Sequence, residues 1–294
     1  MADQLSRGTL FDPILVSDLI TKVKGKSSLA VLSQQEPVPF NGMKEFVFTM
    51  DSDIDVVAEN GKKSHGGISL EPVIIRPIKV EYGARISDEF IFAADETKVD
   101  ILRSFNDGFA KKVARGIDLM AFHGMNPRTK VKSDVIGTNN FDNKVTQSVT
   151  YTEADPEANI QSAVELIQGS EHEISGMAFA PTFSSAMAKI KVNGVKQFPE
   201  LAWGGNPGSI NGLKLDVNST VSAGDARTEA YIGDFASMFK WGYAREIPLE
   251  IIKYGDPDNT GKDLKGYNQV YIRAEAYIGW GIMDPNAFAV IKGA

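Results

Sequence analysis

The side chains able to do chemistry are few and scattered in this chain of 294 residues. Its three histidines, His65, His123 and His172, are too widely separated for any two to meet at metal-ligand spacing. His65 falls in a charged, Gly-rich stretch. His123 falls where an apolar helical pattern ends, a position at which an imidazole ordinarily satisfies the last carbonyls. There is no cysteine, which excludes disulfides, thiolate ligands and a cysteine nucleophile. Two acidic runs resemble calcium loops. Asp51, Asp53 and Asp55 begin one, but Val56 and Lys62 stand where the loop needs its glycine and its bidentate Glu. Asp256, Asp258, Thr260 and Gly261 fit better, until Tyr267 occupies the Glu position. Both are read as solvated loops. No phosphate-cradling Gly-rich loop and no Gly-x-Ser-x-Gly elbow is present, and the glycines of WGGNPGSING lack dinucleotide spacing. A hydrolase would need two carboxylates about 5–10 Å apart across a cleft, and no such pair stands out. The expected chemistry is therefore non-covalent binding, with no catalytic residue, no cofactor and no metal.

Composition agrees. Hydrophobic residues make up 43% and charged residues 23% of the chain, the profile of a globular protein. No apolar run approaches the ~20 residues that span a bilayer, and the first residues, MADQLSRGTLFDP, carry no secretory signal. The net charge of -7 argues against a dedicated nucleic-acid grip and favours solubility.

The elements that would position these residues follow from periodicity. Residues 1–40 read as an arm: Asp12 and Pro13 open a short helix with Ile14, Leu15, Leu19 and Val23 on its apolar face. Those apolar residues need a partner, on another subunit or on the chain's own domain, and a chain lacking residues 1–35 is expected to fold but not to assemble. Residues 41–82 read as a long hairpin. Phe46, Phe48 and Met50 alternate along its first strand; a second extended run, about 68–82, contains Pro72 and Pro77 and should be an edge or be interrupted. The segment between them is too long for a tight turn. Thr97 is a plausible cap for the clearest helix, whose Leu102, Phe105, Phe109, Val113, Ile117 and Met120 share a face; Gly124 and Pro127 end it. An α/β block follows, with helices predicted from Asp155-Pro156 and over 181–191, and strands at 177–179 and 213–217. Val270, Ile272, Ala274, Ala276 and Ile278 alternate in a closing strand, and Phe288, Val290 and Ile291 lie in the last one.

Five stretches, in this order, resemble the major capsid proteins of tailed bacteriophages: IRPIKVEYGARISDEFI, LRSFNDGFAKKVARGIDLMAFHG, MAFAPTFSSAMAKIK, YIGDFASMFKWGYAREIPLEI and YNQVYIRAEAYIGWGIMDPNAFAVIKG. Each is loose, and their order and spacing carry the likeness. The resemblance implies an α+β chain with the Hong Kong 97 fold: an N-terminal arm (1–40), an extended loop (41–82), a peripheral domain with its spine helix (83–150), an axial domain (151–245) and return strands to the peripheral domain (246–294). It implies hexamers and pentamers closed into an icosahedral shell around double-stranded DNA, in a virion put together in the bacterial cytoplasm. Its partners would be itself, a separate scaffolding protein (no scaffolding region precedes the arm), a portal and a decoration protein; no membrane is involved. An encapsulin-like compartment around a cargo enzyme is the alternative with the same fold. Some members of the family weld their shells by Lys–Asn isopeptide bonds with a Glu assisting proton transfer. By that resemblance Asn268 would be the acceptor, Glu275 the assistant and Lys62 or Lys63 the nucleophile. Asn268 and Glu275 would face opposite sides of a regular strand, so a bulge or twist would be needed. From the residues alone, Asn268 caps a strand and Glu275 pairs with Arg273 or a neighbour.

Overall fold

The computed structural model describes residues 27–50, 52–89, 95–224, 227–244 and 249–293. The helix expected from Asp12 lies outside them, as does Asp51. The described chain opens with a single helical turn, α1 (Ser28–Leu32), capped by the Ser27 side chain, which accepts from the Ala30 N–H. Leu29 and Leu32 are buried in the main core. Residues 35–38 then run beside a later strand: the Glu36 N–H donates to the Trp241 carbonyl at 2.8 Å and the Val38 N–H to the Tyr243 carbonyl at 3.3 Å. Gly242 permits this approach, because a Cβ there would collide with the Glu36 carbonyl. The partner of this part of the arm is thus the chain's own body, and a chain lacking residues 1–35 would lose two core leucines. That loss weighs against the expectation that such a truncation folds.

The hairpin follows as β1 (Met43–Met50) and β2 (Ile68–Ile75), antiparallel from Met43 opposite Ile75 to Met50 opposite Ile68. Pro77 separates β2 from β3 (Ile78–Ser87), so the second extended run is two strands that belong to different sheets. Pro72 is accommodated because β2 has a partner on one side only.

Helix α2 (Asp95–His123) is 29 residues long, about 43 Å at 1.5 Å per residue. It begins two residues before Thr97, which therefore lies inside the helix and does not cap it. Leu102, Phe109, Val113, Ile117 and Met120 are buried as their spacing predicts. The helix ends where Gly124 adopts φ +66°: the Gly124 N–H reaches the Met120 carbonyl at 2.9 Å and the Met125 N–H the Leu119 carbonyl at 3.2 Å, which satisfies the last carbonyls.

Beyond it come α3 (Phe141–Lys144), β4 (Ser148–Thr150), α4 (Pro156–Gly169), β5 (Gly176–Phe179) and α5 (Pro181–Met187). Asp155 caps α4 by accepting from the Ala158 N–H, with Pro156 in the first turn, as predicted. Helix α5 stops short of residue 191. Asn193 and Gly194, at φ 50° and 82°, instead turn β6 (Lys191–Val192) back onto β7 (Val195–Lys196), through an Asn-Gly hairpin that overrides the end of the expected helix. The remaining strands are β8 (Ser209–Ile210), β9 (Leu213–Val217), β10 (Thr228–Gly233), β11 (Phe239–Tyr243), β12 (Leu249–Ile252), β13 (Gln269–Ile282) and β14 (Phe288–Lys292).

Two larger sheets organise the body. One has the order β4-β14-β10-β5-β9-β8. The other is built on β13, with β3 along one edge and β12 then β11 along the other. The core extends from the first sheet and the buried half of α2 into the far end of β13. Phe122 stacks on Tyr231 at 4.4 Å, and Phe141 meets Phe288 edge-on at 5.0 Å. Nearer the start of β13, Leu102 of α2 packs against Val270 and Ile272 in a separate small cluster.

Candidate assembly surface

One face of the β1–β2 ribbon is left uncovered by the described body of the chain. Residues directly opposite in an antiparallel pair share a face. Met43, Val47, Val73 and Ile75 line one face; they gather at the ribbon's root around Val38, Met283 and Met238. Glu45, on the same face, accepts from the Lys240 ammonium at 3.3 Å. The other face carries Phe46, Met50, Ile68, Leu70, Pro72 and Ile74, and every one of them is exposed, Phe46 by 59% and Met50 by 69%. The loop beyond adds Ile54 and Val56, which are 96% and 94% exposed. Eight residues per strand reach about 26 Å from the root at ~3.3 Å per residue. A two-stranded ribbon is marginal by itself, and this one turns an apolar face outward.

The β13 sheet is held differently. The better of the two calcium-like loops is not merely solvated: a tethered cation occupies it. Arg85 of β3 donates from Nη2 to Asp256 at 2.6 Å, Asp258 at 2.5 Å, Thr260 at 2.7 Å and the Lys262 carbonyl at 2.9 Å, and from Nε to Asp258 at 2.9 Å. The guanidinium hydrogen bond holds the Asp258 carboxyl down to about 2. Among the described residues no group of three or more His, Asp or Glu is arranged to hold a metal ion.

A third feature, Asp118, was missed in the sequence. It is a carboxylate in the buried half of α2, fully enclosed. Ser27 Oγ donates to it at 2.5 Å, Thr220 Oγ1 at 2.7 Å, and the Ser28 and Leu29 N–H groups at 3.0 and 3.3 Å. The residue thereby ties the start of α1, helix α2 and the loop after β9 together. Burial pushes its pKa up to about 6, against the pull of those donors. The signal available was one Asp in the apolar run Ile117–Phe122, where a charge must have been given partners.

Two of the three histidines make hydrogen bonds within the body. His123 is buried, with Nδ1 2.9 Å from Asp142 and Nε2 2.8 Å from the Thr220 carbonyl. Burial acts to raise the pKa of Asp142, but His123 and the Tyr231 hydroxyl outweigh it and keep the carboxyl low. His172 lies 3.1 Å from Asp284, and His65 is on the exposed loop. The four residues singled out for a cross-link are not brought together within one subunit. Lys62 and Lys63 are exposed on the ribbon loop. Asn268 sits at φ 52° just before β13, and its carbonyl accepts from the Asp88 N–H. The register of β13 against β3 runs unbroken from Gln269 to Ile278, with no bulge in that span. Glu275 is engaged by Lys79 at 2.7 Å and by Arg273 at 3.3 Å.

The described chain is an α+β body around a long helix, with a two-stranded ribbon whose apolar face lies outside its own core. Comparison with known proteins places it. The model of the phage capsid family matches residues 8–293. A solved structure from Mycobacterium phage Ogopogo is 31% identical, with a TM-score of 0.77 and 92% of each chain covered. One from Gordonia phage Cozz is 26% identical, with a TM-score of 0.74 over 91% of this chain and 87% of that one. The capsid of a native GTA particle, 14% identical with a TM-score of 0.63 over 91% and 90% of the two chains, shares the fold. A search of curated proteins found no match. The chain belongs to the phage capsid family, with the Hong Kong 97-like fold, and is a major capsid protein.

Proposed function

We propose that this subunit closes with copies of itself, as hexamers and pentamers, into an icosahedral shell around double-stranded DNA, each ribbon laying its apolar face on a sister subunit. The observation that carries this reading is the exposed face formed by Phe46, Met50, Ile68, Leu70, Pro72 and Ile74. Covering such a side chain is worth about 1.5–3 kcal/mol, while docking costs about 4–15 kcal/mol in lost freedom. A single ribbon contact is therefore close to balance, and repetition under closed symmetry makes the assembly stable. The role is structural and the place of action is the virion; assembly takes place in the host cytoplasm. The family match and the phage structures favour this shell over an encapsulin-like compartment. A separate scaffolding protein, a portal and a decoration protein complete the proposed set of partners.

The test is electron microscopy of the expressed chain, alone and with its candidate scaffold, beside a Phe46→Asp, Leu70→Asp double variant. Closed shells are expected from the parent chain. The variant is expected to fold with an unchanged melting temperature and to remain unassembled. Closed shells from the variant would overturn the role given to the ribbon.

A further inference from the structure

Charge is unevenly spread along this acidic chain. Residues 101–135 hold seven Lys or Arg against three Asp and no Glu, a net of +4 that leaves -11 for the rest of the -7 chain. One of the three acids, Asp118, is buried. The basic residues converge on one region of the surface. Lys111, Lys112 and Arg115 stand on the exposed side of α2, within about 6 Å along its axis. The loop after the helix folds back on them: Pro127 lies over Gly116, 3.4 Å from where a Cβ would stand, and brings Lys130 within range of Lys112 and Arg115. Lys132 is exposed on the same loop, and Arg128 extends the basic region towards Tyr271.

Among the described residues, these cations form no carboxylate ion pair of the kind that engages those of the sheet. Arg115 donates to the Ser219 hydroxyl at 3.4 Å and Lys130 to the Pro127 carbonyl. On the open face of the β13 sheet, by contrast, Lys79 is 2.7 Å from Glu275, Arg273 is 2.8 Å from Glu250 and Arg85 is enclosed by Asp256 and Asp258. In a wall one subunit thick, one side lines the interior and the other meets solvent. Duplex DNA presents one negative charge per ~1.7 Å, and cations left without carboxylates gain most by facing it.

We propose that the surface formed by Lys111, Lys112, Arg115, Lys130 and Lys132 is the side the subunit turns to packaged double-stranded DNA, which it contacts through phosphates without reading sequence. This rests on the capsid reading above. The competing occupant is the acidic ribbon loop of a sister subunit, with Asp53, Asp55 and Glu59; its Ile54 and Val56 would seek an apolar seat as well.

The test uses the full-length unassembled subunit and a short labelled DNA duplex, with affinity measured across a range of salt. Changing Lys111, Lys112, Lys130 and Lys132 to Gln is expected to reduce the slope of log K against log salt by about 0.9 for each phosphate no longer neutralised, about 3 to 4 in all. Changing Lys189, Lys191, Lys196 and Lys214 to Gln, an equal change of charge in the other α/β block, should leave the slope as it is in the parent. Equal reductions in the two variants, or no salt-dependent binding by the parent, overturn the proposal. A four-Glu version of the patch that fails to assemble, and is rescued by Asp53→Lys with Asp55→Lys, assigns the patch to the sister loop and also overturns it. Shells formed by the four-Gln variant with an unreduced DNA slope refute this inference alone, whereas failure of the parent to form shells strikes the capsid reading itself.

Discussion

Replacing Asp118 by Asn separates the burial of its charge from its hydrogen bonding. One carboxylate oxygen accepts from Ser27 Oγ and the Leu29 N–H, the other from the Ser28 N–H and Thr220 Oγ1. Whichever way the new amide is turned, its NH2 faces a backbone N–H and orphans it, at about 1–3 kcal/mol. Relief of a charge buried without a cation offsets this at neutral pH, so the size of the effect at one pH decides little; its pH dependence decides more. The Asp118 pKa is raised to about 6 in the folded chain from an ordinary 3.8. A raised carboxyl contributes stability that is fully present below its unfolded pKa and is lost as pH climbs through the folded one. The parent should thus gain on the Asn variant by about 1–2 kcal/mol, roughly ten-fold in the folding equilibrium, between pH 7.5 and pH 5. Other carboxylates, such as Asp142, titrate equally in both proteins and cancel in the difference. Urea unfolding of the unassembled subunits at several pH values measures the gap, and a gap that stays constant over this range would refute the assignment of a raised pKa to Asp118.

Removing residues 1–26 should leave a folded subunit, because Ser27 and its bond to Asp118 remain; removing 1–35 deletes buried Leu29 and Leu32, each worth about 2–5 kcal/mol, and should give no cooperative melt by circular dichroism. Arg85→Met should open the loop after β12, read as cleavage by trypsin at Lys262 and Lys265 several-fold faster than in the parent; equal rates would show that the acidic loop holds itself. Gly108 has no atom within 4 Å of where a Cβ would stand, so Gly108→Ala should raise the unfolding free energy of the subunit by about 1 kcal/mol in urea. Boiled shells should run as a single monomer band in a denaturing gel, because Glu275 is occupied by Lys79 and Arg273; a ladder of covalent multimers would establish the cross-link through Asn268 instead.

Local pattern determined much of this protein. The apolar spacing of α2, its glycine stop, the Asp155-Pro156 start of α4 and the alternation along β13 are short-range consequences of helix and strand periods, and they stand where the residues placed them. The hairpin was legible too, since two alternating runs separated by a polar stretch have few other ways to pair. What needed tertiary structure was anything joining residues far apart in the chain. Arg85 reaches its acidic loop 171 to 177 positions away, and Asp118 meets Ser27 across 91. Neither pairing leaves a periodic trace, because a side-chain hydrogen bond depends on where two backbones happen to cross and not on the spacing within either. The same holds for residues 27–38: their apolar side chains announced a need for cover, and only the packed body, with Gly242 leaving room for the crossing strand, showed that the cover lies in their own chain.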